Sequence, residues 1–175
     1  DPHSLGDSDV LSLFEDRGGV LWFGTRAGGA ARFNPRTWAF GHVRPEPADP
    51  RGLAHGYVTS FSEAPRGRLW IGTMGGGLHE LDRATGVMRH YGRGDLGLSD
   101  DRVMALLHDQ RGRLWVGTME GGINRFDPAS GRFDVLRSDA ARPGSLSANG
   151  IMALLQDRSG TVWVGTYGGG LNRLD

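Results

Sequence analysis

The sequence predicts an all-β fold built from four copies of a small antiparallel sheet. Four similar phrases support this prediction: LWFGTRAGGAARFN, LWIGTMGGGLHELD, LWVGTMEGGINRFD and VWVGTYGGGLNRLD. Their tryptophans lie 48, 45 and 48 residues apart, an interval typical of four-stranded propeller blades. No stretch places enough apolar residues at helical period to form an amphipathic helix. We therefore expect β-propeller blades of four antiparallel strands in four repeats, as a partial propeller or four-blade segment.

Each repeat contains its strand-like segments in the same order. The candidates for the first strand have alternating or β-branched residues and lie at 10–16, 58–64, 103–109 and 151–157. A hairpin turn rich in Gly and Asp follows, because tight turns need residues that adopt positive φ. The second strand holds the tryptophan, and a glycine cluster separates it from the third. The predicted repeats are 1–48, 49–94, 95–141 and 142–175, and the last lacks its outermost strand.

The repeated tryptophan has a physical explanation in this architecture. Each sheet of a propeller is covered by the next, so each blade needs a large apolar anchor at the same depth. We expect four tryptophans at the blade interfaces: Trp22, Trp70, Trp115 and Trp163. The glycine of each Gly-Thr pair leaves room where neighbouring backbones crowd. An open crescent of blades would expose an apolar face at each end, which favours association with a second copy or with other blades.

The composition excludes several classes of function. The chain has 20 basic and 20 acidic residues without a block of like charge, so no nucleic acid is expected as a partner. It contains no cysteine, which excludes disulfides, thiolate catalysis and cysteine-ligated zinc. Its apolar runs are far shorter than the roughly 20 residues needed to cross a bilayer, so no direct membrane contact is expected. We expect no cofactor.

Candidate ligand-binding residues lie in two sets of loops. The loop leading into each first strand and the loop between the second and third strands should open on one face around the central channel, here named the channel face. Between the repeats the framework stays the same while these positions differ, as in a binding site carried on a scaffold. Free variation of unconstrained loops is the alternative. The candidates are Arg26, His55, Tyr57, Met74, Asp101, Arg102, Glu120, Asn149 and Tyr167.

The sequence contains no recognisable catalytic or metal-binding motif. His79 and His90 should come close on the third and fourth strands of one blade, but a metal site needs at least three converging ligands. No phosphate-binding loop, nucleophile elbow or zinc-protease motif is present. Paired carboxylates facing each other across the channel would suit a glycosidase, but the sequence does not show their separation. We therefore assign no catalytic residue and no metal ligand.

The four units resemble the two-component regulator propeller repeat. That repeat reads approximately D-x-x-G-x-[LV]-W-[IV]-G-T, a glycine-rich turn, and G-L-x-R-[FLY]-[DN]. The first unit departs at Ala30 and Ala31, and the second at His79 and Glu80. The resemblance implies the periplasmic or extracytoplasmic sensing part of bacterial hybrid histidine kinases and diguanylate cyclase receptors. Carbohydrate is the ligand class that it suggests.

Three functions are therefore considered. The first is a non-catalytic sensor segment that binds a small ligand or oligosaccharide on its channel face. The second is a structural scaffold for dimerisation or protein interaction. The third is a polysaccharide-active glycosidase or lyase.

Overall fold

The computed structural model describes residues 4–46, 49, 52–94 and 97–174. The regular elements of these residues are all β-strands. No helix in this part of the chain is long and apolar enough to cross a membrane. The predicted repeat limits at residues 1, 48, 95 and 175 lie outside the described residues.

The strands form four antiparallel sheets, which we number as blades 1 to 4. Blade 1 contains β1 (Val10–Glu15), β2 (Leu21–Thr25), β3 (Ala30–Asn34) and β4 (Ala39–Val43). Blade 2 contains β5 (Val58–Ala64), β6 (Arg68–Thr73), β7 (Gly77–Asp82) and β8 (Met88–Tyr91). Blade 3 contains β9 (Val103–His108), β10 (Leu114–Thr118), β11 (Ile123–Asp127) and β12 (Arg132–Leu136). Blade 4 contains β13 (Ile151–Gln156), β14 (Val162–Thr166) and β15 (Gly170–Leu174).

The strands in every blade follow chain order from the first strand outwards. Each strand therefore pairs with the one before it through a hairpin, which is the meander typical of a propeller blade. The first strands contact one another in sequence, β1 with β5, β5 with β9, and β9 with β13. The predicted all-β architecture of propeller blades is confirmed.

The glycine of each Gly-Thr pair makes close packing of adjacent blades possible. A Cβ atom at Gly117 would lie only 2.5 Å from Cγ2 of Ile151, the first residue of β13. Gly24 and Gly72 meet the first residue of the following blade in the same way. Since real Cβ atoms do not approach so closely, a larger residue would force the first strands apart.

The described residues form three apolar core clusters, one between each pair of neighbouring blades. Trp22, Trp70 and Trp115 lie in these clusters and are at most 4% exposed, as predicted. Trp163 is only partly buried, so its place between two sheets stays a prediction. It occupies the face of blade 4 that no described blade covers.

Both ends of the blade series expose apolar side chains. Leu78 and Ile123 are fully buried against the next blade, but Leu171, at the equivalent position of blade 4, is 68% exposed. Likewise Phe61 is 8% exposed on the side of blade 2 that meets blade 1, whereas the equivalent Leu13 of blade 1 is 65% exposed. Burial at these positions therefore depends on a neighbouring blade.

Candidate functional site

A repeated backbone hydrogen bond joins the two loops of each blade at the channel face. The residue that follows each Gly-Thr pair donates its N–H to a carbonyl of the loop leading into the first strand. These bonds join Arg26 to Asp9 (3.0 Å), Met74 to Tyr57 (2.9 Å), Met119 to Arg102 (2.9 Å) and Tyr167 to Gly150 (2.7 Å). The two sets of loops therefore share one face.

A second set of backbone bonds links each blade to the next at the channel face. A glycine N–H after the second strand donates to the leading loop of the following blade. The pairs are Gly29 with Gly56 (3.1 Å), Gly77 with Asp101 (2.8 Å) and Gly122 with Asn149 (3.0 Å). The candidate side chains are therefore carried on a repeated, hydrogen-bonded frame, which limits loop motion.

Arg26 and Tyr57 come together across the boundary between blades 1 and 2. The guanidinium carbon of Arg26 lies 5.8 Å from the centroid of the Tyr57 ring, a cation–π distance. Arg26 Nε also donates to Asp9 at 2.9 Å. His55 lies in the same loop as Tyr57, and its Nδ1 accepts the Tyr57 N–H at 3.1 Å.

Arg102 and Glu120 form a charged cluster with Asp100 on blade 3. The Arg102 guanidinium lies 2.9 Å from the Asp100 carboxylate and 2.8 Å from that of Glu120. Burial acts to raise the pKa of Asp100, but hydrogen bonds from Arg102 lower it below its ordinary value. The hydrogen bond from Arg102 and its charge also lower the pKa of Glu120. This cluster has one cation and two carboxylates, so it carries net negative charge at neutral pH.

The side chains of the remaining candidates form no such cluster with one another. Asp101 accepts the Arg93 N–H at 2.6 Å, and Asn149 accepts the Ser138 N–H at 2.8 Å, so both side chains hold loops in place. Tyr167 is 74% exposed. The ligand-binding role of the nine candidates stays a prediction.

The larger clefts described lie away from these candidates. One of about 410 Å³ lies between blades 1 and 2, one of about 460 Å³ between blades 2 and 3, and one of about 640 Å³ between blades 3 and 4. None of the nine candidates lines any of these three clefts. The channel face thus presents an open surface of polar and aromatic groups.

His79 and His90 are neighbours, as the sequence suggested. They are paired across β7 and β8, with ring centroids 4.9 Å apart. His79 Nε2 accepts the N–H of Ala54 at 3.0 Å and so anchors the leading loop of its own blade. Among the described residues, no group of three or more His, Cys, Asp or Glu side chains could hold a metal ion.

In blades 3 and 4 an asparagine anchors the leading loop at the position of His79. Asn124 binds both the N–H and the hydroxyl of Ser99, at 2.9 and 2.8 Å. Asn172 makes the same pair of bonds with Ser147. Sequence reasoning missed this anchor. The signal available was the matching Ser and Asn at fixed spacing in the last two repeats.

Sequence reasoning also missed the role of the hairpin aspartate. The sequence pattern assigns the hairpin aspartates only to turn formation, but Oδ2 of Asp109 accepts the Nε1–H of Trp115 at 2.8 Å. The indole that fills the blade interface is therefore held by a buried carboxylate. The signal was the constant spacing of six residues between Asp and Trp in three of the four repeats.

Several solved structures are similar to this chain in fold. The extracellular domain assigned to the hybrid two component system BT3049 from B. thetaiotaomicron is 23% identical, with a TM-score of 0.84 over 98% of this chain. The corresponding domain of BT4673 from the same organism is 24% identical, with a TM-score of 0.80 over 98%. This chain spans only 23% of either of those chains.

The computationally designed Ika4 protein is similar over nearly the full length of both chains. It is 16% identical with a TM-score of 0.64, and the match covers 97% of this chain and 92% of Ika4. A comparison with curated proteins gave no match.

The family match follows the repeat described above. The model of the two component regulator propeller matches residues 4–27, 52–75, 97–120 and 145–168, together more than half of the chain. Each matched stretch runs from a leading loop through the first two strands to the following turn, which is the part that builds the channel face. The chain therefore belongs to the two component regulator propeller family.

Proposed function

We propose that this chain is a non-catalytic, extracytoplasmic sensor segment of a two-component-type receptor and that it binds a small ligand on its channel face. The proposal depends on one observation: the backbone hydrogen bonds at that face are repeated from blade to blade, but the side chains are not. The same backbone hydrogen bond joins the two loops in all four blades, while the side chains that these loops present differ. A fixed frame with varied polar and aromatic groups is how folds host binding sites.

An oligosaccharide is the ligand class we propose. The exposed channel face offers aromatic rings at Tyr57 and Tyr167 together with the charged groups of Arg102 and Glu120. Aromatic faces combined with hydrogen-bonding groups suit a ligand that has apolar ring faces and many hydroxyls.

The test is isothermal titration against a panel of oligosaccharides. We expect heat of binding with at least one sugar, and we expect Tyr167→Ala to weaken that binding about tenfold, since a large exposed contact is lost. Trp38→Ala is the matched control, because Trp38 is 81% exposed at the distant turn before β4. No heat with any sugar, or an equal loss in the control, would refute the proposal.

The exposed ends favour a second proposal, that the segment associates through its terminal blade faces with other blades or with a second copy. Leu171 exposes a position that is fully buried in blades 2 and 3, and burying one leucine is worth about 1.5–3 kcal/mol. Sedimentation should show concentration-dependent association that Leu171→Lys abolishes. Val87→Lys, at an exposed turn of blade 2, should leave association intact. A monomer at all concentrations would contradict this proposal.

A further inference from the structure

Three blades surround their tryptophan N–H with the same carboxylate arrangement. In blade 3, Asp109 Oδ1 accepts the backbone N–H groups of Arg111 and Arg113 at 3.0 and 2.9 Å, and Oδ2 accepts Nε1–H of Trp115 at 2.8 Å. Asp16 and Asp157 do the same in blades 1 and 4. The indole N–H in each of these blades therefore donates to a negatively charged oxygen.

Blade 2 lacks this carboxylate. Ala64 stands at the position of the aspartate, and the hairpin changes with it. Arg66 and Gly67 both have positive φ, 63° and 74°. Ala64 pairs directly with Arg68, so the hairpin loop consists of the three residues Pro65, Arg66 and Gly67. No described residue accepts a hydrogen bond from the indole N–H of Trp70.

The missing carboxylate coincides with a cleft. Ala64, Trp70 and Phe126 line the cleft of about 460 Å³ between blades 2 and 3. It lies at the end of the strands opposite to the channel face, beside the hairpin of β5 and β6. An unpaired donor that reaches open space beside aromatic surface is a feature of ligand pockets.

The charges around this cleft favour an anion. Arg66 and Arg68 both line it, and Arg66 has no ion pair among the described residues. Glu80, the one carboxylate among the described lining residues, already accepts hydrogen bonds from Arg68 at 2.7 Å and from the Tyr91 hydroxyl at 3.1 Å. One arginine is thus left to balance the charge of a ligand.

We propose that this cleft binds a small organic carboxylate, whose oxygen accepts the Trp70 N–H in the place taken by the aspartate in the other three blades. Arg66 supplies the opposite charge. The ring of Phe126 supplies apolar contact for the body of the ligand. The site is separate from the channel face, so it is independent of the function proposed above.

The experiment follows the indole N–H signals of ¹⁵N-labelled protein by NMR. The chain has five tryptophans, and the Trp70 signal is identified by its loss in Trp70→Phe. The probes are acetate and benzoate, with the neutral acetamide and benzamide as controls, at constant ionic strength and pH 7. We expect a saturable shift of the Trp70 signal with the carboxylates, and none with the amides. The Trp115 signal should not move, because Asp109 already occupies its donor.

Two variants complete the test. Ala64→Asp places the chain's own carboxylate in the cleft and should abolish the response of Trp70 to acetate. Arg66→Gln, at an exposed turn residue, should weaken the response several-fold without affecting folding, and it decides the matter if Ala64→Asp does not fold. The proposal is overturned if the Trp70 signal shows no saturable shift, if the amides shift it equally, or if Arg66→Gln responds as the parent does.

Discussion

His79 should make this protein sensitive to mild acid. Its side chain has no exposed surface, its Nε2 accepts the Ala54 N–H, and its Nδ1 has no hydrogen-bond partner among the described residues. Burial, followed by the neighbouring His90, lowers the pKa of His79 from 6.5 to about 3, with the Ile71 carbonyl acting in the opposite direction. Protonation of Nε2 would also break the bond that anchors the leading loop.

The direction and size of the change in stability follow from the pKa of His79 in the unfolded chain, 6.5, and in the folded chain, about 3. Above pH 6.5 the imidazole is neutral in both states, so His79 does not lower the free energy of unfolding. As the pH falls from 6.5 towards 3, the unfolded chain takes up a proton that the folded chain does not, and stability decreases. At pH 5 the pH lies about 1.5 units below the pKa of His79 in the unfolded chain. The free energy of unfolding is therefore lower by about 2 kcal/mol than at neutral pH.

The assay is urea unfolding at pH 7 and at pH 5. Asparagine is the residue at the equivalent position of blades 3 and 4, so His79→Asn can accept the same N–H without titrating. We expect the variant to lose about 2 kcal/mol less than the parent between the two pH values. His55→Asn, which replaces an exposed histidine, should keep the acid sensitivity of the parent. The reasoning is refuted if His79→Asn and the parent respond equally to pH.

Two further predictions concern the blade interface. A Cβ at Gly117 would lie 2.5 Å from Ile151, whereas a Cβ at Gly165 in blade 4 meets nothing nearer than 3.4 Å. Gly117→Ala should therefore lower the free energy of unfolding by about 1–3 kcal/mol. Gly165→Ala should lower it by much less. Equal losses in a urea titration would contradict this. Asp109→Ala should lower the free energy of unfolding by about 3 kcal/mol. The substitution leaves the Trp115 indole N–H and two backbone N–H groups without their hydrogen-bond acceptor. A loss below about 1 kcal/mol would show that the carboxylate is not an important support of the indole.

Much of the fold could be predicted because its signals are local. Strand alternation, turn glycines and the tryptophan interval are set by residues close together in the chain, and they predicted the first strands to within a residue or so at each end. The proximity of His79 and His90 followed from the same hairpin logic. The candidate site was less predictable: Arg26 and Tyr57 meet across two blades, and no local pattern indicates that contact.

The sequence alone determined the kind of blade, the number of repeats and the order of strands, because each of these depends on short-range pattern and turn chemistry. Only the tertiary structure decided which copies of a repeated residue are buried. Trp115 and Trp163 occupy the same position in their repeats, yet one is buried and the other only partly so. The physical reason is that burial is a property of two surfaces in contact, and a repeat specifies only one of them.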